Sequence, residues 1–232
     1  MDELWVERLG ILGYAEALEL QRRVARARIS GAIAEDVLLL VEHPPVVTLG
    51  RSAKEKNLLV SPQFLAARGV ELFEVERGGD VTFHGPGQLV GYPIIDLKRH
   101  KRDLHWYLRQ VEEALIVALG ELGIAAGRNP GLTGVWTGNA TRKIASIGVH
   151  ARDWVTWHGF ALNVSVDLSY FDLMVPCGIE AVTMTSIARE LGPAAPGIEV
   201  VRRSVSQAFG RVFDLVQRDV EPGFVSGLIA AT

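Results

Sequence analysis

The sequence contains a single cysteine, Cys177, among its 232 residues. One cysteine excludes an intramolecular disulfide, and it excludes zinc sites built from four cysteines or from two cysteines and two histidines. Long apolar runs are also missing, since no stretch approaches the roughly 18 residues of a membrane span. Neither sign of charge dominates, because 24 Lys and Arg against 27 Asp and Glu give a net charge of −3. That balance carries no electrostatic signature of nucleic-acid binding or of strong membrane binding.

The composition is that of a globular protein with a substantial core, at 48% hydrophobic and 22% charged residues. The length fits one large domain or at most two small ones. The segment Met1–Leu9 is acidic and mixed, unlike the basic start and apolar run of a signal peptide. We therefore expect a soluble, cytoplasmic protein whose one thiol is reduced.

Apolar periodicity and capping residues predict helices alternating with strands. The predicted helices are Tyr14–Ile29, a short one from Ser61-Pro62 to Gly69, one from Asp103 to Leu122, and Glu199–Leu215. The predicted strands are Val37–Glu42, Val46–Leu49, Val70–Val75, Gly134–Thr137, Arg142–Ala151 and Val155–Val164, the last two joined at Arg152-Asp153. We expect an α/β (α+β) fold whose mixed, partly antiparallel sheet is flanked by helices. Residues 1–218 are predicted to form its single domain, followed by a weakly ordered tail at 219–232.

Turns and glycines dominate the prediction for Arg77–Pro93, which has four glycines and a histidine within Arg77–Gln88. Glycine allows the backbone to approach a ligand closely and exposes N–H donors to it. The spacing matches neither a P-loop nor a dinucleotide-binding fingerprint. The segment is consistent with a ligand-binding turn or with an ordinary glycine-rich hairpin.

Lys143 lies in an otherwise apolar predicted strand, beside the small residues Ala145, Ser146 and Gly148. Its ammonium either reaches solvent at the strand end or is desolvated against a ligand wall. Both interpretations stay open at this point.

Cys177 lies between Pro176 and Gly178, which favours a shaped loop and a reactive thiol over an inert buried one. Together with His84 and His158 it offers the residues of a Cys/His hydrolase. The same three side chains provide donors for a metal, but they lack the close spacing of ligand pairs.

Five ordered segments resemble the octanoyltransferases of lipoate biosynthesis, also called lipoyl(octanoyl) transferases or the lipoate–protein ligase B family. They are RGGDVTFHGPGQLVGYP (Arg77–Pro93), RKIASIGV (Arg142–Val149), HGFALNV (His158–Val164), PCGI (Pro176–Ile179) and TS (Thr185-Ser186). Their order and spacing agree over about residues 5 to 215, which is nearly the whole chain.

The resemblance implies the catalytic-domain fold shared with biotin and lipoate protein ligases. It implies transfer of an octanoyl group from acyl carrier protein to a lysine of a lipoyl domain or of glycine cleavage H protein, without ATP and without any cofactor. Cys177 is then the acyl-thioester nucleophile, and Lys143 lowers its pKa and handles protons. The implied substrate walls are Arg77, Gly78, Gly79, Asp80, Val81, Thr82, Phe83, His84, Ser146, Ile147, Gly148, Gly159, Phe160 and Ala161.

Two alternatives share this fold. An ATP-dependent lipoate or biotin ligase works through an acyl-adenylate, which has no need for a thiol in the Pro-Cys-Gly setting. A non-enzymatic relative would bind carriers without turnover, against which the intact Cys177 and Lys143 argue.

Overall fold

A computed structural model describes residues 2–175 and 182–230. Its helices are α1 (Tyr14–Ser30), α2 (Pro62–Ala67), α3 (Leu104–Glu121), α4 (Ile187–Leu191), α5 (Ile198–Phe213) and α6 (Phe224–Ala230). Its strands are β1 (Glu3–Ile11), β2 (Asp36–Glu42), β3 (Val46–Leu49), β4 (Glu71–Glu74), β5 (Val81–His84), β6 (Gln88–Ile94), β7 (Gly127–Asn129), β8 (Leu132–Thr137), β9 (Arg142–Arg152), β10 (Val155–Asn163), β11 (Thr183–Met184) and β12 (Val216–Val220).

Most strands join one mixed sheet in the order β12-β1-β2-β6-β10-β9-β8-β7. The outer pairs β12–β1 and β1–β2 are parallel, whereas every pair from β2 to β7 is antiparallel. The short β11 pairs in parallel with the beginning of β9. The predicted mixed, partly antiparallel sheet flanked by helices is therefore confirmed.

Helices cover both faces of this sheet, as the alternation along β2 illustrates. Leu38 and Leu40 pack in the cluster formed with α3 and α5, whereas Val37 and Leu39 pack in the cluster formed with α1 and α6. Successive strand residues point to opposite faces, so a continuous apolar run is what a strand buried on both sides requires. Helices α2, α3 and α4 begin at side-chain caps, where Ser61, Asp103 and Ser186 accept backbone N–H groups.

A second, three-stranded sheet has the order β4-β3-β5. Val81 and Phe83 of β5 pack on one side of it, in a cluster with Leu65 and Met174. The alternate residues of β5, Thr82 and His84, face the larger sheet across a cavity. The small sheet therefore forms one wall of that cavity.

Three segments differ from their sequence expectation. β1 was not predicted, because its apolar residues Leu4, Trp5 and Val6 are interrupted at once by the buried Glu7. Arg77–Pro93, predicted as turns, contains β5 and β6, since its apolar positions are buried on both sides and show no alternation. The hairpin between β9 and β10 turns at Asp153 and Trp154, which have positive φ values of 50° and 66°, one residue beyond the predicted position.

Residues 219–230, predicted as part of a weakly ordered tail, comprise the end of β12, a turn at 221–223 and α6. The predicted boundary after residue 218 falls inside β12, whose Asp219 and Val220 are in register with β1. The buried carboxylate of Glu7 accepts the N–H groups of Gly223 (2.6 Å) and Val225 (3.0 Å) at the start of α6. These long-range contacts, rather than a local pattern, order the segment. Among residues 2–175 and 182–230, no helix is long and apolar enough to cross a membrane.

Candidate active site

A cavity of about 380 Å³ lies between the two sheets and the first turns of α1 and α3. Lys143 and most of the predicted wall residues line it. These wall residues are Arg77, Gly78, Gly79, Asp80, Thr82, His84, Ser146, Ile147, Gly148, Gly159, Phe160 and Ala161. The fold thus brings the segment Arg77–His84 together with the β9–β10 hairpin, which follows much later in the sequence.

Two of the predicted wall residues, Val81 and Phe83, do not line this cavity. They alternate with Thr82 and His84 on β5, so their side chains point to the other side of the small sheet. The Phe83 ring stacks on Tyr170 with 4.3 Å between ring centroids. In this structure both residues belong to the core behind the wall.

The glycine-rich turn at Arg77–Asp80 is attached to β9 by its backbone. The Gly78 N–H donates to the Val149 carbonyl at 2.8 Å. A Cβ on Gly148 would lie 2.7 Å from the Gly78 oxygen, which is closer than side-chain carbons approach backbone. The Arg77 guanidinium is buried, and it donates to the Thr48 carbonyl at 2.7 Å. Glycine at 148 is therefore needed for the turn to close over the sheet.

Asp80 fixes the other end of that turn and links it to the segment that precedes Cys177. Its carboxylate accepts the Val81 N–H at 2.7 Å and the Asn57 side-chain amide at 2.5 Å. The Asn57 carbonyl in turn accepts the Val175 N–H at 2.8 Å. Val175 directly precedes the undescribed residues 176–181, and this bond attaches it to the cavity wall.

Lys143 is the second residue of β9 and is only 1% exposed. Its ammonium lies 5.4 Å from the centroid of the Trp136 ring on β8, within the range of a cation–π contact. Its carbonyl accepts the Thr185 N–H at 2.9 Å, and Met184 of β11 is its register partner. The strand β11, which follows residues 176–181 in the sequence, is thus paired directly with the strand that carries Lys143.

Arg142 anchors the start of β9 next to Lys143. Its guanidinium forms a bidentate pair with Glu190 of α4, at 2.9 and 2.8 Å. The ion pair with Arg142, together with a hydrogen bond from Thr185, lowers the pKa of Glu190 to about 2. The Glu190 carboxylate therefore stays ionised at neutral pH and holds α4, Thr185 and β9 together.

Cys177 lies outside the described residues, as do Pro176, Gly178 and Ile179. By sequence it stands two residues after Val175 and six before Thr183. Its predicted role stays a prediction.

His84 is a neutral, oriented imidazole. Its Nδ1 lies 2.8 Å from the Gln88 side-chain oxygen, and the Gln88 amide nitrogen donates to the Asn163 side-chain oxygen at 2.9 Å. The Gln88 oxygen therefore accepts a proton from Nδ1, which leaves Nε2 unprotonated. Burial, with a smaller contribution from the nearby His43, lowers the pKa of His84 to about 3.

His158 adopts a left-handed backbone conformation, with φ of +56°, inside β10. Its N–H donates to the buried Gln21 side chain of α1 at 3.0 Å. Its Nε2 lies 3.7 Å from the Glu76 carboxylate, which also binds Arg22 in a bidentate pair. Burial lowers the pKa of His158, whereas the contacts with His158, Arg22 and Trp157 hold the pKa of Glu76 well below its usual range. His158 pairs with Val149 in register, six residues along β9 from Lys143.

Sequence reasoning missed one group of cavity residues. They are Tyr14, Val90, Tyr92, Leu104, Leu108, Gly131, Leu132, Thr133 and Val149. Val90, Tyr92 and Val149 lie within the segments that carry the resemblance, which was the available signal, whereas the local pattern of the others does not mark them as cavity residues. Among residues 2–175 and 182–230, no cluster of three or more His, Cys, Asp or Glu side chains is arranged to hold a metal ion.

Solved structures with this architecture are catalytic domains of protein ligases. A bipartite lipoate protein ligase from Thermoplasma acidophilum, in a study with its E2 lipoyl domain, superposes with a TM-score of 0.79 over 100% of this chain and 92% of its own, at 17% identity. A lipoate–protein ligase A bound with ATP gives 0.76 over 100% and 94%, at 18% identity. A biotin protein ligase from Aquifex aeolicus gives 0.52 over 100% and 74%, at 12% identity. At these identities the likeness establishes the fold alone.

Sequence comparison is more specific. The family model described as the lipoyl protein ligase A/B catalytic domain matches residues 13–210. An octanoyltransferase of Solibacter usitatus is 54% identical over 92% of this chain and 94% of its own length. One from Myxococcus xanthus is 48% identical over 96% of this chain, which spans 63% of that longer protein. The chain therefore belongs to the lipoyl protein ligase A/B catalytic family and, within it, to the octanoyltransferases.

Proposed function

We propose that this chain transfers an octanoyl group from octanoyl-acyl carrier protein to a lysine of a lipoyl domain, through a thioester on Cys177. The acceptors are the E2 subunits of 2-oxoacid dehydrogenases and glycine cleavage H protein, so the reaction is the first step of endogenous protein lipoylation. The observation that carries the proposal is the cavity, in which the buried Lys143 and twelve predicted wall residues meet. The octanoyltransferase relatives support the acyl group, and the Thermoplasma ligase, studied with an E2 lipoyl domain, supports the acceptor class.

The cavity suits an alkyl chain near its glycine-lined part. Gly148 and Gly159 are register partners on β9 and β10, and a side chain on either would strike backbone oxygen, so these glycines let the wall pack closely while their neighbours provide its apolar surface. Ile147, Phe160 and Ala161 add apolar surface to the wall. At about 0.8 kcal/mol per buried methylene, an octanoyl tail contributes on the order of 5 kcal/mol to binding.

The proposed chemistry needs only the cysteine and the lysine. The Cys177 thiolate attacks the carrier thioester, so a new C–S bond forms as the bond to the carrier thiol breaks. The departing carrier thiolate takes a proton from the Lys143 ammonium. The acceptor lysine then attacks the acyl-enzyme, its proton passes to the neutral Lys143, and the Cys177 thiolate leaves.

A cation beside the thiol is required for fast attack by Cys177 at neutral pH. An ordinary cysteine, with a pKa near 8.5, is only a few per cent thiolate there. Lowering that pKa by about two would take about 2.7 kcal/mol of preferential stabilisation of the thiolate. Lys143 is suited to this because the start of β9 is held by both β11 and Glu190.

Intact-mass spectrometry tests the proposal. Mixing the protein with octanoyl-acyl carrier protein should add one octanoyl mass to the wild type and none to Cys177→Ser. Adding a lipoyl domain should then discharge the adduct onto that domain. An adduct that persists in Cys177→Ser would move the nucleophile elsewhere, and an adduct that never discharges would favour a non-catalytic binding protein.

The ATP-dependent ligase alternative is tested by nucleotide depletion. Transfer from octanoyl-acyl carrier protein should proceed at an unchanged rate after apyrase treatment, because a thioester donor is already activated. Transfer that requires both ATP and free octanoic acid would instead support an acyl-adenylate route.

A further inference from the structure

Two buried amide side chains lie behind the cavity wall, between β6 and β10. Gln88 begins β6, Asn163 ends β10, and the two are register partners. Each is only 1% exposed, and neither lines the cavity. Both fall within segments that carry the family resemblance, although the resemblance assigns no role to either. The groups that they contact indicate what they do.

The two side chains belong to a continuous chain of hydrogen bonds. His84 Nδ1 lies 2.8 Å from the Gln88 side-chain oxygen, and the Gln88 amide nitrogen donates to the Asn163 side-chain oxygen at 2.9 Å. The Asn163 amide nitrogen then donates to the Thr185 carbonyl at 2.9 Å. We refer to Gln88 and Asn163, with these three bonds, as the amide relay. It joins a histidine of the cavity wall to the residue that follows β11.

Backbone carbonyls fix the direction of every bond in the relay. The Thr185 carbonyl can only accept, so the Asn163 amide nitrogen faces it and the Asn163 oxygen faces Gln88. The Phe83 carbonyl accepts from the Gln88 amide nitrogen at 3.2 Å and independently orients Gln88 in the same way. The Gln88 oxygen therefore faces His84, whose Nδ1 carries the proton. A reversed amide at either position would place two acceptors against each other.

The other end of the relay lies beside Lys143. The Thr185 N–H donates to the Lys143 carbonyl at 2.9 Å, and the Thr185 hydroxyl donates to Glu190 at 2.6 Å. The bond from Asn163 fixes the carbonyl of the same, fully buried residue. The relay thus helps to hold β11, which follows the Cys177 segment in the sequence, against the strand that carries Lys143.

We propose that Gln88 and Asn163 are positioning residues for acyl transfer: through Thr185 they hold β11 in place beside Lys143, and through His84 they set which imidazole nitrogen carries its proton. The inference rests on the proposed function, since it concerns the placement of Lys143 in that reaction. Neither amide lines the cavity, so each acts through the groups that it holds. Loss of the relay removes a donor from the buried Thr185 carbonyl, and a buried acceptor left without its donor favours a shift of the backbone.

Asn163→Leu tests the Thr185 end, because leucine is similar in size to asparagine and removes both hydrogen bonds. The rate constant of Cys177 acylation at saturating octanoyl-acyl carrier protein should fall by about tenfold to a hundredfold, since displacement of a reacting group by about 1 Å has an effect of up to that order. The carrier concentration that gives half of this rate should change less than twofold. The midpoint of the Cys177 thiolate titration should move to higher pH as Lys143 is displaced.

Thr156→Val is the matched control. Thr156 lies on the same strand, β10, is fully buried, and donates its hydroxyl to the Pro93 carbonyl of β6 at 2.9 Å. It does not line the cavity. The variant loses a comparable buried hydrogen bond, so its melting temperature should fall. Its acylation rate constant should nevertheless change less than twofold, and its thiolate titration should match the wild type.

Asn163→Asp provides a conservative rescue with a defined pH dependence. A protonated carboxyl group can accept from Gln88 and donate to the Thr185 carbonyl, as asparagine does, whereas a carboxylate can only accept. The acylation rate constant relative to wild type should therefore be near one at pH 5 and fall as the pH rises and the carboxyl group ionises. A reduced ratio that is the same at every pH would mean that Asn163 serves only packing, which would overturn the inference. This variant carries the test if Asn163→Leu does not fold.

The His84 end is measured without turnover. The ¹⁵N NMR signals of His84, assigned by their absence in His84→Gln, should show a protonated Nδ1 and an unprotonated Nε2 in the wild type at pH 7. Gln88→Leu removes the acceptor for Nδ1 and should populate the other tautomer.

The inference is also overturned by a proton on His84 Nε2 in the wild type. A folded Asn163→Leu that matches the wild type in acylation rate constant and thiolate titration would overturn it as well, and both results would leave the proposed function intact. Failure of the wild type to transfer octanoyl to any lipoyl domain would instead overturn the proposed function, whereas the His84 tautomer would still report on the relay.

Discussion

Lys143 of β9 occupies the space in which Gly134 of β8 would carry a side chain. A Cβ on Gly134 would lie 2.6 Å from Lys143 Cε and 2.7 Å from the Ala145 carbonyl oxygen. Gly134 also has a φ of +131°, which L side chains rarely adopt. Its N–H donates at 3.1 Å to the fully buried Glu112 carboxylate, which fixes the backbone there. The glycine thus makes room for the lysine.

Gly134→Ala should therefore lower octanoyl transfer by about a hundredfold in kcat/KM, since displacement of a reacting group by about 1 Å has an effect of that order. Gly127→Ala is the control, because a Cβ there meets nothing within 4 Å. Steady-state kinetics on both variants, with melting temperatures, gives the comparison. Full activity in a folded Gly134→Ala would show that Lys143 does not need this position.

The pair between Arg142 and Glu190 gives a second, milder prediction. Glu190→Gln removes the charge that holds the first residue of β9 against α4, and it weakens the bond from Thr185, which is 2.6 Å long. Because this pair joins the start of β9 to α4, its loss should lower the melting temperature and reduce kcat/KM several-fold.

Glu113→Gln is the matched control, since Glu113 also binds an arginine, Arg128, at 2.6 Å, but on the outer side of α3. It should change kcat/KM by less than twofold. Equal effects of the two variants on kcat/KM would mean that the Glu190 pair has no particular influence on the active site.

Sequence reasoning found those parts of the fold and site that are encoded locally. The caps Ser61 and Asp103 and the apolar run of β2 each define an element within a few residues. The motif segments were found by resemblance, and the fold brings most of their residues to one cavity. Val81 and Phe83 were included because the resemblance covers a continuous stretch, whereas a strand shows only alternate residues to a cavity.

The positions of Tyr14 and Tyr92 beside the cavity were not predictable from the sequence, because the two residues belong to different elements that only the tertiary fold brings together. Tyr14 starts an amphipathic helix, and Tyr92 lies in a strand that looks like a glycine-rich turn. β1 and α6 were missed for a similar reason, since the buried Glu7 is stable only because it accepts N–H groups from residues more than 200 positions away.

The buried histidines predict how stability changes with pH. Burial lowers the pKa of His43 to about 4 and, with His43 itself, that of His84 to about 3. Unfolded histidine has a pKa near 6.5, so below that pH the unfolded chain binds more protons than the folded one. The free energy of unfolding therefore decreases as the pH is lowered from about 6.5 to the pKa values of the folded state. At pH 5 each histidine should cost on the order of 2 kcal/mol relative to pH 7.

Urea unfolding at pH 7, 6 and 5 measures the slope of the free energy of unfolding against pH. His84→Gln should flatten it, whereas His105→Gln, at an exposed position on α3, should not. The carboxylates Glu76 and Glu190 lose their stabilising charge only below about pH 4.5, outside this window. A slope that is identical in all three proteins would show that His84 is not held neutral by burial.

The last prediction assigns the proton chemistry to Lys143 rather than to either histidine. Histidine is the usual partner of a catalytic cysteine, and both His84 and His158 line the cavity. Neither suits that role here: burial lowers the pKa of His84 to about 3, so its ring stays neutral and supplies no cation, and His158 lies beside Glu76, six residues from Lys143 in the register of β9. The strand that carries Lys143, in contrast, pairs directly with β11, which follows the Cys177 segment in the sequence.

Titration of the ultraviolet thiolate absorbance in Lys143→Ala, His84→Ala and His158→Ala separates these roles. The pKa of Cys177 should rise by about two in the lysine variant, with acylation slowed up to a hundredfold at neutral pH and partly recovered as the pH is raised. If a histidine variant shows the larger rise and Lys143→Ala titrates like the wild type, the protein is a Cys/His enzyme and the assignment to Lys143 fails.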